Sequence, residues 1–311
     1  MGLFDWLKAK PGQAHALPER SVAPPPAPNA APEATDTSAR EGAAKRRFST
    51  DRADLFDIGR TTALHGLFQV PRQARDEAWN ALFYDAAWHG STELPSPQPF
   101  VGPDFFPYLR FDVPRGGAFE SQSLGNLAPE LVRNAVGAAF FASPDDPSDA
   151  AQFVFSMGRL HAMLRFDSAE GDPTDLAELE REIDPAVYDV EQDEAHQRLT
   201  VKQSHEVLVG HPSRDVLPPE IARPLYRHLR DGWKIAEPRV ALMVDPATTP
   251  SRSLIIGRRF EEFPDGQDVD RVTQMLLWYF PPRQMLMLQP GTMALDEMAP
   301  LANYLDEGGG D

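Results

Sequence analysis

Histidine is the residue type in this sequence best suited to metal binding or proton transfer, and the chain contains eight. A zinc site needs histidine or carboxylate ligands at a workable spacing, such as the His-Glu-x-x-His pattern on a helix. That pattern is absent, and no two histidines stand four residues apart. His205 and His211 flank a strand-like segment, whereas His161 and His228 fall in helix-like segments. The spacing therefore predicts no metal site.

Motifs for nucleophilic catalysis and for phosphate binding are equally weak. Ser156-Met-Gly158 follows a strand-like segment, but it lacks the preceding glycine of a nucleophile elbow. Gly116 and Gly117 precede no helix that would present its amide groups to a phosphate. Carboxylates are so numerous that no single pair is informative. We therefore predict no catalytic residue and no cofactor, although an enzyme site in a cleft between two halves of the chain remains an alternative.

Composition and charge restrict the partners. The chain has 311 residues, 41% of them hydrophobic, and no cysteine, which fits a globular protein of the reducing cytoplasm. No apolar run is long enough to cross a membrane. Residues 1–50 carry seven basic and five acidic side chains, and residues 51–311 carry 23 and 42, so the formal charge of −17 divides into +2 and −19. Such an acidic body argues against nucleic acid and favours a basic protein partner, or serves solubility alone.

The first 50 residues divide into a head and a linker. Residues 1–10 place Leu3, Phe4 and Leu7 on one helical face with Trp6 beside them. This segment suits peripheral membrane contact or docking in a partner's groove, and Phe4 and Trp6 are candidate protein-binding residues. Residues 11–47 are rich in proline, alanine, serine and charge, which predicts a disordered linker.

Residues 51–166 are predicted to form an N-terminal α/β domain. Strands are expected at residues 64–70, 106–112 and 152–156 and helices at 75–89, 127–135 and 159–166, with the segment 138–141 following the second helix. Residues 167–200 follow as an acidic connector. Its segment 167–194 has twelve acidic residues and one arginine, and Leu176, Leu179 and Ile183 suggest a short helix with a narrow apolar stripe. The connector is either a docking surface for a basic partner or a solvated link.

Residues 201–311 are predicted to form a C-terminal domain whose elements follow the order strand, helix, strand, strand, helix, strand. The strands are expected at residues 206–210, 239–245, 253–257 and 284–289, the helices at 219–231 and 269–279, and a last helical piece at 295–304. This order is typical of the ferredoxin-like βαββαβ layer, in which both helices cover one face of the sheet. The fold class is therefore α/β (α+β).

The same residues carry a resemblance. Four segments follow one another in the order of the C-terminal domain of the bacterial SseB (enhanced serine sensitivity) family: Val207-Leu-Val-Gly210, Leu217-Pro-Pro-Glu-Ile221, Pro238-Arg-Val-Ala-Leu-Met-Val-Asp245 and Leu254-Ile-Ile-Gly257. Residues 205–289 resemble this domain, and Pro224 departs from it because proline inside a helix produces a kink. The resemblance implies a bacterial, cytoplasmic protein and transfers no catalytic residue.

The predicted C-terminal sheet is apolar on both faces. In strand 239–245, Val240, Leu242 and Val244 alternate with Ala241 and Met243, and the last strand alternates in the same way with Met285 and Met287. The face without helices should therefore be covered by the N-terminal half or by a second subunit. Methionine adapts well to varied contacts, which makes Met243, Met285 and Met287 candidate protein-binding residues.

These observations lead to one predicted function and two alternatives. The chain is expected to be a non-catalytic cytoplasmic protein that works through contact with another, as yet unidentified protein. A first alternative is an immunity or antidote protein that blocks a basic toxin through its acidic surface. The second is the enzyme with a site between the two halves.

Overall fold

Two mixed β-sheets, a two-stranded antiparallel sheet and seven α-helices are present in the computed structural model, which describes residues 46–114, 120–142, 150–178, 183–192, 197–202 and 205–306. Residues Arg47–Asp311 form one compact unit. The mixed α/β fold predicted from the sequence is therefore confirmed. Within the described residues, no helix combines the length and apolar content that crossing a bilayer requires.

The first sheet has six strands: β1 (Thr92–Glu93), β2 (Phe100–Val101), β3 (Pro107–Asp112), β4 (Ser121–Gln122), β5 (Gly137–Phe141) and β6 (Phe153–Phe155). Their order is β4-β1-β3-β5-β6, with β2 paired to β3. Strands β3 and β5 are parallel and the other pairs are antiparallel. A parallel pair needs a crossover, which helix α3 (Leu124–Arg133) provides.

Three further helices belong to this half: α1 (Ile58–Gln69), which packs against α2 (Glu77–His89), and α4 (Met157–Phe166); α2 and α4 contact the sheet. The strand predicted for residues 64–70 is wrong, because these residues belong to α1. The Asp57 carboxylate accepts a hydrogen bond from the amide of Arg60 and caps the helix, and Leu67 accepts one from the indole of Trp79. Such a cap favours helix over strand for the short alternating run that follows.

The segment predicted as an acidic connector is partly packed on the body of the protein. It contains α5 (Pro173–Glu178) and an antiparallel hairpin of β7 (Tyr188–Gln192) and β8 (Gln197–Val201). Asp167, in the left-handed conformation at the end of α4, accepts hydrogen bonds from the amides of Arg47 and Phe48. Val187 and Tyr188 are buried. The predicted apolar stripe is only partly visible because Leu179 lies outside the described residues.

The second sheet has five strands: β9 (Leu208–Gly210), β10 (Arg239–Val244), β11 (Arg252–Ile256), β12 (Met285–Leu288) and β13 (Ala299–Pro300). The order is β12-β11-β10-β13, with β9 paired to the same strand β10. Helix α6 (Pro219–Arg227) follows β9, and α7 (Val269–Leu276) links β11 to β12. The buried side chains of both helices join one core cluster with Val240, Leu254 and Ile256, so both helices lie on one face of the sheet, as predicted.

The strand order differs from the predicted ferredoxin-like layout. A split βαβ unit has another strand between its two parallel strands, whereas β11 and β12 are parallel and adjacent. In the ferredoxin-like layout, β9 would lie between β11 and β12 and run parallel to β10. In the structure it pairs directly with β10, in the antiparallel direction. The ferredoxin-like layout is therefore not confirmed, although the order of its elements along the chain is present.

Two local expectations in this half have clear outcomes. The helix predicted at residues 295–304 is replaced by 3-10 turns at Leu295–Glu297 and Leu301–Tyr304, with β13 between them. Pro300 interrupts the segment, and Ala299 pairs with Val240 on β10. Pro224 does lie inside α6, and the chain continues into a π-helical turn at His228–Gly232.

The two predicted halves share one core. One cluster of buried side chains includes Phe106, Tyr108 and Met157 from the first half and Leu225, Leu276 and Trp278 from the second. The rings of Phe106 and Trp278 stack with their centroids 4.4 Å apart. The Trp278 indole donates a hydrogen bond of 2.7 Å to the hydroxyl of Tyr108, which in turn donates to Asp104. The contact between the halves is therefore both apolar and specific in orientation.

Candidate functional site

The three methionines singled out from the sequence lie on one face of the second sheet. Met243 on β10 is directly opposite Val209 on β9 and Ser253 on β11, and Ser253 is paired with Met285 on β12. Met287 occupies the next position on the same face of β12. Val209 is 46% exposed and Met285 is 43% exposed, and Met243 and Met287 are half-buried. The face therefore ends in a row in which Val209, Met243 and Met285 are apolar and at least partly exposed, while Ser253, between the two methionines, is polar and buried.

The centre of this face is covered by the chain itself. Ala241 and Ile255 are fully buried and form a small cluster with Met293 and Met298, which come from the segment after β12. Met243 and Met287 pack against that cluster. The expectation that the N-terminal half or a second subunit covers this face is therefore wrong for its centre, because a local segment reaches it first. The candidate residues Phe4 and Trp6 lie outside the described residues, as do Gly116 and Gly117.

A buried polar cluster joins the hairpin region to the second sheet. Asp245, which follows β10, is 1% exposed and accepts hydrogen bonds through Oδ2 from the hydroxyl of Tyr188 and from Nε2 of His205 at 3.0 Å. The Tyr188 hydroxyl lies 3.2 Å from the same imidazole nitrogen. The other carboxylate oxygen of Asp245 accepts the amide of Ala247 at 2.9 Å.

The electrostatics of this cluster favour an ionised Asp245. Burial acts to raise its pKa, but the hydrogen bonds from Tyr188, His205 and Ala247 outweigh that effect and hold the pKa below its usual value. Burial raises the pKa of Tyr188, and the hydrogen bond to Asp245 and the charge of Asp245 raise it further. Tyr188 therefore remains a neutral hydroxyl donor at neutral pH. The hydrogen bond from Tyr188 to Asp245 therefore attaches strand β7 of the hairpin to the end of β10.

A second group of polar residues lies where helix α4 meets the C-terminal half. His161 and Arg165, one turn apart on α4, line a cavity of about 290 Å³. Its other polar walls are Asp172, Ser213, Asp215, Arg252 and Gln284, and its apolar walls are Phe166, Val216, Pro218, Ile221, Pro281 and Pro282. His161 and Arg165 also line a neighbouring cavity of about 490 Å³ beside Arg133, Glu220 and Arg223. The two cavities thus share these two side chains.

His161 is the histidine of this group, and its surroundings shift its pKa. Its side chain is buried, with 7% exposure, and its Nδ1 atom has no hydrogen-bond partner. Burial, as the largest cause, and the charge of Arg165 lower the pKa of His161, Glu220 acts in the opposite direction, and the resulting pKa is about 4. The imidazole is therefore neutral at neutral pH. A buried polar atom without a partner costs about 1–3 kcal/mol, so an apolar residue would be more stable at a purely structural position.

Arg165 and Arg252 each face an acidic side chain at this cavity. Arg165 donates a hydrogen bond of 2.8 Å to Asp215, whose side chain is 91% exposed. The Arg252 guanidinium lies 3.8 Å from the carboxylate of Asp172. An ion pair with so exposed an acid is weak, since water screens it and the surface side chain loses entropy.

The serine motif has a structural role. Ser156 caps α4 by accepting a hydrogen bond of 3.2 Å from the amide of Arg159. Gly158 lets α4 approach the main chain of Phe280, because a Cβ atom there would overlap the Phe280 carbonyl group. Within the described ranges, no three His, Asp or Glu side chains come together in a group that would hold a metal ion.

Sequence reasoning identified the methionine face but not the two polar clusters. His161, His205 and Asp245 were visible only as single residues, and their partners lie far away along the chain. Comparisons of the chain with protein-family models, with curated proteins and with solved structures give no match.

Proposed function

We propose that this protein is a non-catalytic cytoplasmic protein that works by binding another protein, in keeping with its resemblance to the SseB family. The observation that carries the proposal is the half-exposed apolar row formed by Val209, Met243 and Met285 on the second sheet. Met287 extends it beside the covered centre of the face. These side chains form the proposed contact surface.

The composition of the row suits recognition rather than interior packing. Burying one such side chain stabilises a structure by about 1.5–3 kcal/mol, so the row gains free energy when a partner covers it. Methionine side chains are flexible and adapt to different apolar partners. The row also ends at strand β12, which is an edge strand of the sheet among the residues that the structure describes.

Charge favours a particular kind of partner. The formal charge of the chain is −17, so long-range attraction accelerates association with a basic protein and opposes association with nucleic acid. An immunity or antidote protein that blocks a basic toxin is one specific form of this function. In either form, the partner presents an apolar anchor to the row and basic side chains around it.

The test compares two surface variants in binding assays. Met285→Glu places a charge in the proposed contact surface at a position exposed enough to leave the fold intact. Leu82→Glu is the matched control, because Leu82 is an exposed apolar residue of α2 in the other half. The wild-type protein and the control should capture the same protein from the native host, and Met285→Glu should lose it.

The captured protein, once purified, should bind directly, and binding should weaken as the salt concentration rises. Equal capture by Met285→Glu and by wild type would exclude this surface. The alternative of an enzyme would instead require chemistry at the cavity beside His161, and turnover abolished by His161→Gln would favour it.

A further inference from the structure

Arginine side chains converge on the cavities beside His161 although the chain as a whole is strongly acidic. The charged residues that line the two cavities are four arginines and three acids: Arg133, Arg165, Arg223, Arg252, Asp172, Asp215 and Glu220. The cavity of about 290 Å³ has two arginines and two acids and is balanced in charge, and the neighbouring cavity adds an excess of one positive charge, in a chain whose formal net charge is −17. The net charge of the chain opposes the approach of anions, and the arginines at these cavities offset that effect locally.

We propose that the cavity beside His161 binds a small molecule that carries a carboxylate or phosphate group on an apolar body. Arg165 is the principal cation for the oxyanion, and its bond to the exposed Asp215 is the interaction that the ligand replaces. The apolar walls, which include Phe166, Ile221 and Pro282, receive the body of the ligand.

The geometry of Arg165 supports this assignment. A guanidinium group has five N–H donors in a planar fork that matches carboxylate and phosphate oxygens. The one hydrogen bond that Arg165 donates to a described residue goes to Asp215, so further donors of the fork are available to a ligand. Asp215 lies in the loop that precedes α6 and is almost fully exposed, which makes it easily displaced.

His161 lines the same cavity and reports on its occupancy. Its imidazole is 7% exposed, and its Nδ1 atom, which is closed to solvent, has no hydrogen-bond partner. Next to Arg165, a neutral imidazole does not repel the guanidinium, and the attraction of the anion comes from the arginines of the cavity. A bound oxyanion offsets the effect of Arg165 on the imidazole, so binding raises the pKa of His161.

The size of the cavity limits the ligand. A volume of about 290 Å³ corresponds to roughly ten water molecules at ~30 Å³ each. This is at the lower end of the range for small-molecule sites in proteins. A macromolecule enters at most through one side chain, and the proposed ligand is a free small molecule.

The experiment follows the imidazole signals of the full-length protein by NMR during titration with inorganic phosphate and, separately, with benzoate. Ionic strength is held constant with sodium chloride, and the His161 signal is assigned with His161→Gln. We expect a saturable shift of that signal with at least one probe. Phosphate alone identifies a phosphate ligand and benzoate alone a carboxylate on an apolar body; no saturable shift with either probe overturns the proposal.

Three variants separate a specific site from general charge effects. Arg165→Met retains the aliphatic stem and should weaken binding at least tenfold. Asp215→Asn removes the competing carboxylate and should strengthen binding about two- to fivefold. Arg271→Met, at an exposed position on α7, should bind like the wild type.

Retained binding in Arg165→Met, or an equal loss in Arg271→Met, contradicts the proposal. If Arg165→Met does not fold, Asp215→Asn decides, because its exposed side chain leaves the fold intact and unchanged affinity would exclude the displacement of Asp215. The outcome is independent of the protein-binding surface, which these substitutions do not touch.

Discussion

The packing of α4 against the C-terminal half depends on the absence of a side chain at Gly158. A Cβ atom at that position would overlap the carbonyl group of Phe280 and lie 2.6 Å from its amide nitrogen, whereas Cβ atoms essentially never come within 3.0 Å of such atoms. The obstacle is main chain, and Phe280 is buried with 2% exposure, so no flexible side chain can move aside. Gly158→Ala therefore requires α4 and the segment around Phe280 to move apart.

The expected loss of stability follows from these contacts. Inserting a methyl group into a packed interior costs about 1–3 kcal/mol, and sometimes more. Alanine is the better helix former by about 1 kcal/mol, which offsets part of the cost. Because the clash is with main-chain atoms, we expect a cost above this range, about 4 kcal/mol, which leaves a net loss of about 3 kcal/mol. For a unit of this size such a loss lowers the melting temperature by about 6–12 °C.

The assay is thermal and urea denaturation followed by tryptophan fluorescence, with Gly66→Ala as the matched control. Gly66 is also a helix glycine, on α1, but a Cβ atom there would meet nothing within 4 Å. The control should gain up to about 1 kcal/mol. If Gly158→Ala melts within a degree or two of the wild type while Gly66→Ala behaves as expected, the close approach of α4 to Phe280 does not exist in solution.

Three further predictions concern stability. Asp245→Ala removes the acceptor of Tyr188 and His205 and should cost about 2–4 kcal/mol in urea denaturation, with faster amide exchange in the hairpin; unchanged exchange would contradict the anchoring role. His161 binds its proton less readily in the folded than in the unfolded state, so the free energy of unfolding should fall as the pH decreases from 6.5 to about 4. The loss should reach about 3 kcal/mol, and the pH profile of His161→Gln should lack it. Met243→Glu, at a half-buried position next to the Met293 cluster, should lower the melting temperature more than Met285→Glu does, and equal melting curves would show that Met243 is not packed.

Much of the secondary structure was predictable because its signals are local. Residues 75–89 and 159–166 were predicted as helices and correspond closely to α2 and α4, since each combines an apolar periodicity with a capping residue. The central strands β10 and β11 follow from uninterrupted apolar runs that end at Pro246 and Gly257. The strand predicted for residues 64–70 was wrong because so short an apolar run fits both the helical and the strand period. The cap at Asp57, which decides for the helix, lies seven residues before Leu64.

Strand order and the hairpin were less accessible. The element order of the C-terminal half is compatible with several pairings, and β9 forms only three register pairs with β10, so its alternation carries little information. In the hairpin, the many acidic residues obscured the alternation of Tyr188 and Val190 with their neighbours. Charge in this segment was interpreted as a sign of solvation, whereas Tyr188 is buried against Asp245.

The methionine face and the cavity beside His161 also differ in how far the sequence could predict them. The methionine face was predictable because residues two apart on a strand share a face, and register with the neighbouring strands adds only Val209 and Ser253. The cavity was not predictable, because its side chains come from α4, the loop before α6, β11 and the chain after Phe280. Side chains that converge from four places leave no spacing in the sequence that would reveal them.

The position of the cavity is nevertheless a consequence of one sequence feature. Gly158, His161 and Arg165 follow one another at intervals of three and four residues, so they lie on one face of α4. Gly158 brings that face into contact with the Phe280 main chain, and the two polar residues, placed further along the same face, therefore open onto the space beside Pro281 and Pro282. The junction that joins the two halves and the cavity that we propose as a ligand site are thus set by the same helix. An anion held by Arg165 would touch both halves at once, and it would stabilise their contact by an amount that depends on its concentration and affinity.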